Sequence, residues 1–435
     1  MLNILHITPH MGGGVGNVIS RLATYCDERI NNIIVLIEEP IKYNFIDKLK
    51  EIEEKVLICP DKTTLEKAII ESDLIIVHWW HHPKISKFLY ELPQIPLRLM
   101  IWTHISNLTV PALNSNMLVE ATRVLFTTEA SYKADVFKSV PNYILKKKTG
   151  VVYGCGGFDD FPRIDHREHE EFNIGYLGLV DFSKMHPDFV EFCKQVNIPE
   201  AKFILVGDAP AKQCISEKIK EKRIKNQFIY TDYVEDVKPI LSQFDVFGYP
   251  LMPYHTCTTE NAILEAMAAE VTPVLLKQLT ENYIVEDGKT GFLVSSKEEY
   301  GRVMRYLYNN PDIRQKVGES AREYVIKKHT LKKFLDSFYE NCEIAMNCSK
   351  KIINFKKIIG ETPAEWFLSC LGKDYDLFKQ SFALGYNNQT QNIKKAFSSI
   401  SPLLKQQNKS SLFHYQREFK DDTMLNVWAN INNKF

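Results

Sequence analysis

DVFGYPL (245–251) and, after a short break, CTTENAILEAMAAEVTPVLL (257–276) decide the fold. An apolar run, a polar break, an alanine-rich helical stretch and a second apolar run make a strand–helix–strand unit, the building block of a parallel sheet. Thr258 or Thr259 is a good helix N-cap, so the N–H groups of Glu260, Asn261 and Ala262 would open the helix and offer an anion site. Ala262, Ile263, Ala266 and Met267 form the expected buried stripe, which leaves Glu265 on another face with Asn261, four positions before it. Helical side chains lean towards the N-terminus, so Glu265 can reach a ligand whose phosphate sits there. A carboxylate can accept two hydrogen bonds from vicinal hydroxyls, as in a ribose. Glu260 is expected in the first turn, roughly 140° around a regular helix from Glu265, so one helix would not aim both at one ligand. The plainer reading of Glu265 is a solvated carboxylate.

The same alternation extends in both directions. Upstream, FNIGYLG (172–178), KFILVGD (202–208) and QFIYTD (227–232) are strand-like, and GFLV (291–294) follows downstream, with helical stretches between. A first series runs through LNILHIT (2–8), NIIVLIE (32–38), DLIIVHWW (73–80), LRLMIWTH (97–104), RVLFTT (123–128) and KTGVVYG (148–154). GFDDFPRIDHREHEE (157–171) interrupts the pattern with charge and is expected to be a linker. The fold class is therefore α/β, with two Rossmann-like halves at 1–166 and 167–340. Helical spacing recurs over 300–309, 312–328 and 331–346, with Pro311 near a helix start. The remainder, 341–435, lacks the alternation but holds Trp366, Phe367, Phe378, Phe382, Phe413, Tyr415 and Trp428, and is expected to pack as a helical appendage.

Composition narrows the function. Lys plus Arg and Asp plus Glu both total 54, so no global electrostatic footprint for nucleic acid exists. The nine cysteines form no CxxC pair and look like free thiols of a reducing compartment. The opening MLNILHITPHMGGG lacks the basic and apolar regions of a secretory signal, and no apolar run approaches the ~20 residues of a membrane span. A cytoplasmic protein, peripheral at most to a membrane's inner face, is expected. KKIINFKKII (350–359) interleaves basic and apolar residues, which suits either an anionic membrane surface or a helix covering a domain seam.

Three further places carry chemistry. Gly12-Gly13-Gly14-Val15-Gly16 follows the first strand, where bare backbone can approach a phosphate. It is not the dinucleotide fingerprint, because the third glycine would fall at Ile19 or Asn17, although Glu38 and Glu39 keep that reading open. In GLVDFSKMHPDF (178–189), Lys184 follows a strand end and could neutralise a diphosphate as a compact charge. His78, His81 and His82 in VHWWHHP, and His104 in WTHISN, stand where open α/β sheets bind ligands. No cysteine or acidic partner accompanies the HxxHH cluster, so no metal is expected.

The series GGGVG, GLVDFSK, ILVGD, YTDYVED, FDVFGYPL, ENAILEAMA, EDGKTGFLV and NNPDIRQKVGESAREYV resembles the retaining GT-B glycosyltransferases of family four, most densely over 173–340. The resemblance implies two parallel sheets facing a cleft, a nucleotide-sugar donor, no cofactor and no metal. It implies that Gly13, Gly14 and Gly16 approach the donor, that Lys184 binds its diphosphate, and that Glu265 holds the ribose. It also implies that Gly207, Asp208, Tyr233 and Val234 frame the base and that His104 lies near the sugar, while Thr259, Glu260, Asn261 and Ala262 are expected to contact the donor as the start of an anion-binding helix. The family's usual arginine is Leu179 here and its first signature glutamate is Cys257. A glycan, lipid-linked group or protein would be the acceptor. Little general-base machinery is visible, so the acceptor proton is expected to pass to the departing phosphate. The rival readings are a GT-B sugar-nucleotide epimerase and a catalytically reduced homologue that binds nucleotide-sugar or a partner protein.

Overall fold

The computed structural model describes residues 1–154, 156–372, 375–376, 407 and 409–432. They form two compact units. Unit 1 takes residues 1–154, 256–258 and the described part of 335–435, and unit 2 takes the described part of 155–255 and 259–334.

Unit 1 is built on β1 (Leu2–Thr8), β2 (Ile30–Leu36), β3 (Lys55–Ile58), β4 (Leu74–Trp79), β5 (Leu99–Thr103), β6 (Arg123–Phe126) and β7 (Thr149–Val151). They form one parallel sheet in the order β3-β2-β1-β4-β5-β6-β7. Helices cover both faces, so central strands are near-continuous apolar runs; every residue of β4 is buried. The chain builds outward from β1 to β3, then restarts at β4 on the other side of β1. Strand order reverses at that point, the place where open α/β sheets bind ligands beyond the C-terminal strand ends.

Unit 2 repeats the plan with β8 (Phe172–Leu177), β9 (Ala201–Val206), β10 (Phe228–Thr231), β11 (Val246–Tyr249), β12 (Thr272–Leu276) and β13 (Phe292–Val294). Its order is β10-β9-β8-β11-β12-β13, again parallel, and the reversal falls between β8 and β11. Helix Asn261–Ala268 links β11 to β12, as the opening stretch of sequence requires.

Two boundaries differ from expectation. The charged stretch at 157–171 is not a loose linker but part of unit 2. Phe158 is buried, its N–H donates to the His329 carbonyl at 3.1 Å, and the Arg322 guanidinium donates to the Phe161 carbonyl at 2.7 Å. An aromatic anchor and a half-buried arginine thus outweigh the charges around them. The described residues of the appendage cluster with unit 1, and so do 335–340, expected in the second half.

KKIINFKKII owes its pattern to that packing. Leu97 and Lys351 exchange backbone hydrogen bonds of 3.0 Å, and Ile353 and Phe355 are buried in the unit 1 core. Lys351 pairs with Glu120 at 3.0 Å, and Lys356 lies 4.0 Å above the Tyr90 ring. These contacts tie the segment into unit 1, with Ile353 and Phe355 turned inward and Ile352 exposed. Further on, Phe367, Leu371, Leu412, Tyr415 and Trp428 make a small second core. Phe378 and Phe382 lie outside the described residues. No helix among the described residues is long and apolar enough to cross a membrane.

Candidate functional site

In unit 2 a tight turn after β8 positions Lys184. The Asp181 carboxylate accepts the Ser183 N–H at 2.8 Å, and the Asp181 carbonyl accepts the N–H groups of Lys184 and Met185. The turn is then pinned to the end of β11, where the Lys184 carbonyl accepts the Met252 N–H at 2.9 Å and His186 N–H donates to Pro250 at 3.0 Å. Buried Val180 and Met185 anchor it from below. The ammonium of Lys184 lies 2.9 Å from a carboxylate oxygen of Glu260, which also accepts the Tyr249 hydroxyl at 3.3 Å. Burial holds the Tyr249 hydroxyl well above its ordinary pKa, so it stays a donor.

Glycine makes room for this group. Gly178 has φ +137°, and an added Cβ there would stand 3.2 Å from the Tyr249 hydroxyl and 3.5 Å from the Lys184 ammonium. Gly207, at φ +128°, lets β9 turn against the Gly178 carbonyl with no side chain between. Asp208, Tyr233 and Val234 occupy the loops beyond β9 and β10. Tyr233 is 59% exposed.

The start of helix Asn261–Ala268 corrects the expected boundary. The N-cap is Glu260, at φ +46° and without a side-chain cap bond, while Thr259 is buried in the preceding turn. Glu260 therefore lies outside the helix, and the 140° argument does not govern where its carboxylate points. Its backbone carbonyl takes the N–H groups of Ile263 and Leu264, which leaves those of Asn261 and Ala262 ahead of the ladder. The buried stripe is also wider than expected: Leu264 and Ala268 join Ile263, Ala266 and Met267, and Ala262 is only half-buried. Glu265 is half-buried on the remaining side.

In unit 1, helix Gly13–Tyr25 follows β1 directly, with Gly12 as its N-cap. Gly13, at φ +62°, and Gly14 face open space, whereas Gly16 is buried against the Met11 carbonyl and the Phe45 ring. Gly16 is thus explained by close packing, and the open approach belongs to Gly13 and Gly14. The turn is stiffened by His10, whose Nδ1 accepts the Gly12 N–H at 3.0 Å.

The histidines diverge instead of converging on a point. His78 sits between His6 and His104, with Nε2 at 3.1 Å from His6 Nδ1 and Nδ1 at 2.8 Å from His104 Nε2. His81 Nδ1 is 3.1 Å from the Tyr415 hydroxyl, and His82 Nε2 is 3.5 Å from Glu38. Groups of three or more His, Cys, Asp or Glu arranged to hold a metal are absent among the described residues. Burial pushes His81 down to about 3 and His82 down to about 2.

Sequence reasoning passed over Tyr249, His6 and His10. Tyr249 ends a strand beside the glycine turn, and that position was its available signal. His6 and His10 flank the glycines but need the sheet register to acquire a meaning.

With this geometry in place, similarity to known proteins can be weighed. Residues 171–310 match the family model described as Glycosyl transferases group 1. Over 133 residues the chain is 26% identical to the alpha-monoglucosyldiacylglycerol synthase of Acholeplasma laidlawii; the match covers 31% of this chain and about a third, 33%, of that relative's length. Among solved structures, the Anabaena HepE protein in complex with UDP and glucose superposes with a TM-score of 0.60 at 16% identity, covering 79% of this chain and 100% of that one. A glycosyltransferase from Rickettsia africae gives a TM-score of 0.62 at 14% identity, covering 80% and 99%. The chain thus has the GT-B fold, and its residues 171–310 are similar to the group 1 glycosyl transferases.

Proposed function

We propose that this protein is a nucleotide-sugar-dependent glycosyltransferase of the retaining, family-four kind, acting in the cytoplasm without a metal. The observation that carries the reading is the group formed by Gly178, Lys184, Tyr249 and Glu260 at the C-terminal ends of β8 and β11, beside the start of helix Asn261–Ala268. Lys184, once a diphosphate displaces the Glu260 carboxylate from it, and the N–H groups of Asn261 and Ala262 would stabilise the leaving group as its charge develops. Glu265 would take the ribose hydroxyls, Tyr233 and Val234 would frame the base with Gly207 and Asp208, and Gly13, Gly14 and His104 would contact the sugar. The acceptor proton would pass to the departing phosphate. UDP-glucose is the first donor to try, because a structural relative is a complex with UDP and glucose. A lipid-linked acceptor comes first, ahead of glycan or protein, because a relative in sequence is a glucosyldiacylglycerol synthase.

The test is a melting-temperature screen against UDP-, GDP- and CMP-sugars. Release of nucleotide is then measured with diacylglycerol, glycan and peptide acceptors, with and without EDTA. Acceptor-dependent release that survives EDTA supports the reading; loss of activity in EDTA overturns the metal-free mechanism. Release without acceptor and without sugar transfer favours an epimerase. Leu179 and Cys257, where the family pattern has an arginine and a glutamate, favour a second reading, a catalytically reduced homologue. Donor binding without turnover across the whole acceptor panel would select it.

A further inference from the structure

Four polar side chains of unit 1 form a diagonal row across its sheet. In the parallel register Asn32 lies opposite Ile4, His6 opposite Ile76, and His78 opposite Trp102. Strand side chains alternate between faces with a period of two. Asn32 on β2, His6 on β1, His78 on β4 and His104 just past β5 therefore share a face. Each stands one strand across and two residues nearer the C-terminal edge than the one before. The row is continuous: Asn32 Oδ1 is 3.2 Å from His6 Nε2, His6 Nδ1 is 3.1 Å from His78 Nε2, and His78 Nδ1 is 2.8 Å from His104 Nε2.

A neutral imidazole has one N–H and one lone pair, so the bond made by one nitrogen fixes the role of the other. Asn32 sets the direction. Its Nδ2 donates to Glu54 Oε1 at 3.3 Å and to Cys26 Sγ at 3.1 Å, which leaves Oδ1 to face His6 as an acceptor. Turning the amide over would set Oδ1 against the Glu54 carboxylate. His6 must then donate from Nε2, which makes its Nδ1 the acceptor for His78 Nε2–H, and His78 Nδ1 in turn the acceptor for His104 Nε2–H.

We propose that Asn32 is a positioning residue that acts through His6 and His78 to hold His104 as the Nε2–H tautomer, so that His104 offers a bare Nδ1 to a hydroxyl of the ligand and not to a phosphate or carboxylate. The hydroxyl contact rests on the reading of His104 as a residue facing the sugar; the tautomer does not. His6 and His78 are buried and His104 is the half-exposed end of the row, where Nδ1 is its remaining polar atom. Burial pushes His6 down to about 4, His104 down to about 3 and His78 well below its ordinary value, so all three are neutral near pH 7. The Asn32 amide does not relay a proton, so the row orients His104 and leads no proton away.

The experiment labels the full-length protein with 15N-histidine and records two-bond proton–nitrogen correlations at pH 7, with His104 identified by the signal missing in His104→Gln. The parent is expected to show His6, His78 and His104 as single Nε2–H tautomers. Asn32→Leu, or His6→Phe if the first variant does not fold, removes the anchor and should bring up a second, Nδ1–H pattern at His104. An Nδ1–H His104 in the parent overturns the proposal, as does an unchanged single pattern in whichever variant folds. The ligand part is read by adding the UDP-, GDP- or CMP-sugar that raises the melting temperature most. A shifted His104 Nδ1 resonance supports the contact. An unmoved one, with the tautomer pattern intact, overturns the sugar-facing reading of His104 and leaves Asn32 as its positioning residue.

Discussion

The two units share a sheet plan but arm their strand ends with opposite chemistry. Unit 2 uses full charges held in a turn: Lys184 against Glu260, with Glu265 nearby on the helix. Unit 1 uses imidazoles kept uncharged. Burial is the leading cause of a lowered pKa at His6, His10, His78, His81, His82, His104 and His414, all in unit 1. One half can stabilise developing negative charge, while the other can orient neutral hydroxyls. In the proposed reaction these are the demands of the leaving diphosphate and of the sugar, so the duplicated architecture leaves the division of labour to a few strand-end residues.

The largest expected effect is on the charged side. Lys184→Ala should lower turnover about 10²–10³-fold, or roughly 2.7–4 kcal/mol, as for other groups that stabilise charge in the transition state. Nucleoside affinity should change much less, because the base and ribose are held elsewhere. Parallel loss of kcat and nucleoside binding in steady-state and calorimetric measurements would refute the assignment.

Acid should separate the units next. A histidine lowered from 6.5 to about 4, as at His6, contributes stability that is fully present above pH 6.5. That stability is lost as the pH falls towards 4, because the unfolded chain takes up the proton first. For His6 alone this is about 3 kcal/mol, and neighbouring rings titrate together, so the contributions do not simply add. In unit 2, burial lowers His186 and His329. Hydrogen exchange followed from pH 7 to pH 4.5 should show β1, β4 and β5 losing protection before β8, β9 and β11. Simultaneous loss, or the reverse order, would break the contrast between the units.

Glu265→Ala comes third, with nucleotide affinity weakened by roughly 1.5–3 kcal/mol for a lost charged acceptor. Equal affinity for ribose and 2′,3′-dideoxyribose nucleotides in the parent would show that Glu265 does not meet the ribose.

The same contrast explains what the sequence made legible. Unit 2's chemistry is local: a glycine turn followed by lysine and a helix start after a strand are read within a dozen residues, so Gly178, Lys184 and Glu265 stood out. The exception was the helix boundary. Two threonines advertised an N-cap, but the chain turns at Glu260 in the left-handed region, a conformation that residue type does not announce. Unit 1's row is non-local, because Asn32, His6, His78 and His104 meet only once the register of four strands is known. At 350–359 interleaved lysines and isoleucines suit either a membrane surface or a packed helix, and which of them turn inward, Ile353 and Phe355, is read only from the structure.

Glu260 gives the smallest effect and the sharpest distinction. Its carboxylate lies against Lys184 at 2.9 Å, with the two side chains 14% and 26% exposed, so a diphosphate arriving at Lys184 must compete with a carboxylate already in place. A partly exposed ion pair of this kind is worth up to about 1 kcal/mol. Glu260→Gln, which keeps the shape and removes the charge, should therefore tighten UDP binding by a few-fold, and the gain should vanish in a Glu260→Gln, Lys184→Ala double variant. If Glu260 instead swings away to meet the sugar in place of the missing glutamate at Cys257, the pattern differs. UDP affinity would then stay level while nucleotide-sugar affinity and transfer fall, and Cys257→Glu would restore part of the loss. Calorimetry with UDP and with the intact donor reads both quantities. Weaker UDP binding in Glu260→Gln fits neither account and would mean that the carboxylate holds Lys184 in its working position, making the pair one unit of the charged half and not a competitor within it.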